Sequence, residues 1–175
     1  MKRRKGYTAV ETCAALGIIG ILAGVAMPTL GNMAENARVR ATAHAMLVSL
    51  AHVRSQAVTA AAPVTLCPSV DRVVCANRSI WTGGWIAFHD RNGSGRRDAG
   101  EGIIETYAAD PRVLVRSSAG RRAVTYRADG TSGGSNITLT LCSAGNPDVG
   151  RRIVVNNVGR ARIEGFERGK AICAG

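Results

Sequence analysis

Two arginines stand two residues apart in Gly159-Arg160-Ala161-Arg162. On a strand such residues project from one face, about 6.6–6.8 Å apart. Two permanently charged, forked guanidinia at that spacing can hold successive phosphates. Gly159 permits a tight turn into them, and Arg151, Arg152, Arg168 and Lys170 widen the basic region. The bland alternative is a pair of solvated strand arginines facing Glu164 and Glu167. No aromatic residue interleaves with these cations, so base stacking is not supported and contact with phosphate, largely independent of sequence, is.

A second constellation is Asp90, Asn92, Ser94, Asp98 and Glu101, oxygen ligands at positions 1, 3, 5, 9 and 12 of a loop with Gly95 at position 6. That is the spacing of a twelve-residue calcium loop. Strands rather than helices flank it, and Arg91, Arg96 and Arg97 crowd it. The competing reading is an Asp/Asn/Gly hairpin loop held by its own hydrogen bonds. Enzymatic chemistry is expected to be absent. Asp129-Gly-Thr-Ser132 has no supporting base, and a nucleophile needs one. His44 and His52 fall on a helix and His89 at a strand end.

The elements that must position these groups are legible in the pattern. The 175 residues carry 46% hydrophobic side chains and 20% charged ones, which excludes a disordered chain. Only 4% are aromatic, and 21 are glycine, as in a small, loop-heavy β domain joined to Ala-rich helix. The net charge is +11, and 20 of the 23 cations are Arg. By segment it is +4 over 1–5, −1 over 6–28, +1 over 29–111 and +7 over 112–175. A basic C-terminal third implies an anionic partner or an Arg-rich solvated surface.

From Thr12 to Met27 there is no charge. Tyr7 to Met27 makes about 30 Å of helix, enough to cross a bilayer core, with Lys2-Arg-Arg-Lys5 retained in the cytoplasm. A cleavable secretory signal ending near Ala23–Ala26 is the alternative. Glu11 argues against it, because a carboxylate in a membrane segment is costly and calls for a partner. After Pro28, Val39, Met46, Leu50, Val53 and Ala57 form one apolar stripe of helical period, with Arg38, Arg40, His44 and Arg54 opposite. Pro63 stops this helix. Beyond it, strands are expected at 64–67, 85–89, 103–107, 113–116, 123–126, 137–142, 153–156 and 161–163, forming one antiparallel sheet or two.

Lys5-Gly6-Tyr7-Thr8-Ala9-Val10-Glu11, with Pro28 beyond, resembles the prepilin peptidase site of type IV pilins and type II secretion pseudopilins. The resemblance implies cleavage after Gly6, N-methylation of Tyr7, and filament assembly in which Glu11 neutralises the new amine of a neighbouring subunit. A longer pattern resembles the GspH/FimT family of minor pilins. It comprises Cys67-Pro-Ser, Cys75, Trp81, Gly84-Trp85, Phe88, Asp90, Asn92, Gly95, Asp98, Gly100-Glu101, Leu141-Cys142, Val154-Val155-Asn156 and Gly159-Arg160. Gly159-Arg160-Ala161-Arg162 is similar to the GRxR motif associated with DNA binding in FimT-like pilins.

The family implies an α+β, pilin-like fold. The expected layout is a leader over 1–6, a transmembrane half-helix over 7–28, an amphipathic half over 29–62 and a β domain over 63–175. It implies a single-pass protein of the bacterial inner membrane with its β domain in the periplasm. Partners would be other pilin or pseudopilin subunits, the prepilin peptidase and, for a FimT-like role in natural transformation, DNA. A purely structural GspH-type pseudopilin is the alternative. No cofactor is expected unless the Asp90–Glu101 loop takes calcium. Outside the cytoplasm disulfides persist. Of three possible pairings, Cys67–Cys75 and Cys142–Cys173 are favoured, with Cys13 a small packing residue.

Overall fold

The computed structural model describes residues 8–134 and 136–165, with the side chains of 25–29 left out. One helix, α1 (Ala9–Thr59), precedes eight strands: β1 (Val64–Pro68), β2 (Trp85–His89), β3 (Ile103–Tyr107), β4 (Val113–Ser117), β5 (Val124–Tyr126), β6 (Ile137–Ser143), β7 (Gly150–Val155) and β8 (Ala161–Glu164).

By its contacts the chain divides within α1, after Ala34. In the first unit Thr8 and Glu11 form a reciprocal cap. The Thr8 N–H donates to Glu11 Oε2 (2.9 Å), and the Glu11 N–H donates to Thr8 Oγ1 (3.3 Å). The apolar side chains Leu16, Ile18, Ile19, Ile21 and Leu22 are exposed. Among the described residues no helix is long and apolar enough to cross a membrane. The expected span over 7–28 therefore reaches past what is described. Tyr7, its first residue, lies outside the described residues.

The second unit begins at Glu35. Here the stripe Val39, Ala43, Met46, Leu50, Val53 and Ala57 is at most 1% exposed, so this half of α1 supplies core. Each such large side chain contributes roughly 1.5–3 kcal/mol on burial. The helix stops where Ala61 takes φ 48° and the N–H of Ala62 donates to the Ala57 carbonyl (3.2 Å), a cap made one residue pair before Pro63.

The strands form two antiparallel four-stranded sheets, β3-β2-β1-β5 and β4-β6-β7-β8. The stripe of α1 shares one core with Leu66, Trp85 and Tyr126 of the first sheet and Val115, Leu139, Leu141 and Ile153 of the second. On the far face of the first sheet, Cys67, Ile86 and Phe88 pack under Cys75. Cys67 and Cys75 are disulfide-bonded (S–S 2.09 Å). Between them the N–H groups of Val74 and Val73 donate to Asp71 and hold its carboxyl below the usual range. Cys142 is buried and disulfide-bonded, while Cys173, its expected partner, lies outside the described residues, as do Arg168 and Lys170. Cys13 is free and exposed.

Candidate functional site

The hairpin joining β7 to β8 carries the two arginines. Its tip closes when the Gly159 N–H donates to the Asn156 carbonyl (2.9 Å) and the Arg160 N–H to Asn156 Oδ1 (2.9 Å). Gly159 sits at φ +80°, buried, and a Cβ there would lie 2.2 Å from the Gly130 carbonyl oxygen. Only glycine tolerates both the left-handed backbone and that approach.

The opposing turn is held in place as well. The Thr131 hydroxyl and N–H donate to Asp129 Oδ1 (2.7 and 2.9 Å), keeping its carboxyl below the ordinary range. Arg54 of α1 ties the two turns together, donating through Nε to Gly130 O (2.9 Å) and through Nη2 to Val158 O (3.4 Å). The Ser132 N–H reaches the Asn157 carbonyl (3.1 Å). Beneath lies Tyr126, fully buried, whose hydroxyl is pushed up to about 12 by burial against the opposing charge of Arg54.

On this clamped tip Arg160 and Arg162 line one groove of about 900 Å³ with Leu47, Ala51, Arg54 and Val58 of α1. Arg160 is exposed. Arg162 is paired on its own strand, its Nε and Nη2 lying 2.9 and 2.6 Å from Glu164 Oε1. Of the flanking cations, Arg152 opposes Glu164 in the β7–β8 register, on the face that carries Arg162. Arg151 is not part of that surface. Alternation along β7 sends it to the other face, where it lines a hollow with Arg40, Ala43 and His44 and donates to the Gly150 carbonyl (2.6 Å).

The loop with calcium spacing is held by its own donors. Buried Asp90 accepts from the N–H groups of Ser94 (2.9 Å) and Gly95 (2.9 Å) and from the Thr65 hydroxyl (2.7 Å). Glu101 accepts from the N–H groups of Arg91 and Asp98 (3.0 Å each), and Asn92 donates to Asp98 Oδ2 (2.7 Å). Arg97 Nε reaches the Glu101 carbonyl (3.0 Å). Oxygens that a cation would collect are engaged by N–H and O–H groups instead. Among the described residues no His/Cys/Asp/Glu group is placed to hold a metal ion.

His52 is not a simple surface residue. Its Nδ1 lies 2.8 Å from Glu105 Oε2, the Ser49 hydroxyl bonds the other Glu105 oxygen, and Trp85 Nε1 donates to Ser49 Oγ (2.9 Å). Glu105 stands between the hydroxyl and the imidazole, so His52 is not positioned to take the Ser49 proton, and the chain braces α1 against the first sheet. Neither this network nor the Arg54 clamp was visible in the sequence, since their partners lie 36–104 residues apart. The Thr8–Glu11 cap did carry a local signal, the T-x-x-E spacing.

A family model described as Type II transport protein GspH matches residues 42–159. The pilin-like protein PilA1 of Thermus thermophilus is 28% identical over 171 residues, spanning 92% of this chain and 99% of its own length. Among solved structures, the type IV minor pilin FimU of Pseudomonas aeruginosa is similar with TM-score 0.58 at 18% identity, covering 76% of this chain and 92% of that one. The minor pseudopilin EpsH of the Vibrio cholerae type 2 secretion system gives TM-score 0.52 at 14% identity, covering 73% and 96%.

Proposed function

Because the chain belongs to the family of the type II transport protein GspH and is a minor pilin or pseudopilin subunit, we propose that it is of the FimT-like kind and binds DNA for uptake. Its partners are other pilin or pseudopilin subunits. Its family is one of structural subunits, and its chemistry is recognition.

One observation carries the DNA reading. Arg160 and Arg162 meet in one groove on a hairpin tip that Gly159 and Arg54 hold against the neighbouring turn. Rigid placement lowers the entropy lost when two guanidinia engage successive phosphates. In the same proposal residues 1–6 are removed by the prepilin peptidase after Gly6, and Tyr7 becomes the methylated amino terminus. Glu11 exchanges its own helix cap for the amine of an adjacent subunit as the filament assembles. The apolar stretch over 7–28 holds the subunit in the inner membrane beforehand, with residues 63–175 in the periplasm.

The test is titration of a fluorescent DNA duplex with the full chain in non-ionic detergent, across a salt series, beside Arg160→Gln/Arg162→Gln. Each lost phosphate contact should flatten the log–log salt slope by about 0.9, so the double variant should lose about 1.8. No binding at low salt would overturn the DNA reading. The Arg162–Glu164 pair favours the alternative, a structural pseudopilin with an internally neutralised hairpin, and that outcome would establish it.

A further inference from the structure

The second sheet turns Val115, Leu139, Leu141 and Ile153 into the core. Residues that alternate with them, and those paired to them across strands, share the outer face. The register aligns Arg116 of β4, Thr140 of β6 and Arg152 of β7 in one row across this face. In the next row Ser118 and Thr138 are joined, the Ser118 N–H donating to the Thr138 carbonyl (2.8 Å) and the Thr138 N–H to Ser118 Oγ (3.3 Å). These residues, with Ser117, line a shallow pocket of about 390 Å³.

We propose that this pocket is a binding site for a phosphoryl oxyanion, separate from the hairpin arginines. Arg116 and Arg152 stand on either side of the Thr140 strand, about 9.5 Å apart at their Cα atoms. A guanidinium fork is long enough for both to converge over the hydroxyl between them. No acidic side chain lies among the pocket's described lining. Glu164 completes the row on β8, on the same face, and its carboxylate is held by Arg162. Planar donors from two sides and hydroxyl donors from Thr138, Thr140 and Ser118 below match a tetrahedral anion that accepts several hydrogen bonds at once. β6 and β7 are central strands, and the edge strand β4 is bridged at Arg116 by Ile80, so the backbone that carries these groups is fixed before a ligand arrives.

The ligand chemistry is a phosphate group, supplied either by a nucleic-acid backbone or by a small phosphoryl species. The probe is inorganic phosphate, titrated calorimetrically into the full chain in non-ionic detergent at constant ionic strength. Arg160→Gln/Arg162→Gln, which removes the hairpin guanidinia, should still saturate with one phosphate per chain. Arg152→Gln should bind about tenfold more weakly or worse, as loss of a charge-assisted bidentate donor requires. Thr140→Val, which keeps the shape and removes the hydroxyl, should weaken binding by a smaller factor, and thermal melts confirm that each variant is folded. No saturation up to about 20 mM phosphate, or Arg152→Gln binding as wild type does, overturns the site.

The duplex titration separates the two sources. If Arg152→Gln also flattens the DNA salt slope by about 0.9, the phosphate is a backbone one. If the phosphate heat disappears while DNA binding is unchanged, or if the chain binds no duplex at all but still saturates with phosphate, the ligand is a small phosphoryl species.

Discussion

Replacing Gly159 with alanine tests why the motif begins with glycine. At φ +80° an alanine costs about 1–2 kcal/mol from backbone strain alone. Its Cβ would stand 2.2 Å from the Gly130 carbonyl oxygen, a backbone atom that cannot rotate away. Relief means moving the hairpin tip by about 1 Å, which strains the Arg54 Nε–Gly130 bond (2.9 Å) and the Ser132–Asn157 bond (3.1 Å). Overpacking of that kind costs about 1–3 kcal/mol. The sum, about 2–5 kcal/mol, corresponds to a Tm lower by roughly 6–20 °C for a domain of this size.

The control is Gly120→Ala, where φ is +76° but no atom lies within 4 Å of the added Cβ. Its penalty is the strain alone, about 1–2 kcal/mol. Thermal unfolding of both variants, followed by far-ultraviolet circular dichroism, reads the difference. If the two variants melt together, the close approach to Gly130 is not what selects glycine, and the clamp argument fails. If Gly159→Ala melts far lower, it should also weaken duplex binding with both arginines still present, because they have lost their fixed placement.

Three further outcomes follow from the same geometry. Glu164→Gln releases Arg162 from an exposed pair worth about 0.2–1 kcal/mol, so duplex affinity should rise by up to about fivefold. Unchanged or weaker affinity would mean that Arg162 does not touch phosphate. Ser49→Ala strands the buried Trp85 Nε1 and should lower urea stability by about 1–3 kcal/mol, whereas a change within error would dismiss the network as decoration. Tyr126, with its hydroxyl raised to about 12 from an ordinary 10, favours the neutral form when folded. Its stabilisation is complete below pH 10 and is lost as pH rises toward 12, by up to ~1.4 kcal/mol per unit. Urea unfolding between pH 9 and pH 11.5 should show wild type losing that increment relative to Tyr126→Phe; parallel curves would contradict it.

The legible parts of the fold were those set by neighbours within a few residues. Alternation between turn residues located every strand to within a few positions, Trp85–His89 and Ile103–Tyr107 to the residue. The helical stripe from Val39 to Ala57 was readable because one face of a helix repeats every three or four residues. The Asp90–Glu101 loop shows where such reading becomes ambiguous. Carboxylates at calcium spacing and carboxylates that accept a loop's own N–H groups make the same string, and only the path of the backbone decides which donors or ions they meet.

By itself, then, the sequence determined which segments are helix and strand, where the charge lies, and that two arginines share a short motif. Tertiary structure alone decided how the strands divide into two sheets and that Arg54 holds the hairpin tip. It also decided that Glu105 joins His52 to Ser49, and that Arg116 and Arg152 stand in one row on either side of Thr140. The reason is one of range. Local propensity acts through backbone sterics and side-chain periodicity over a few residues. A contact between residues 54 and 130 exists only once the whole core has closed around it.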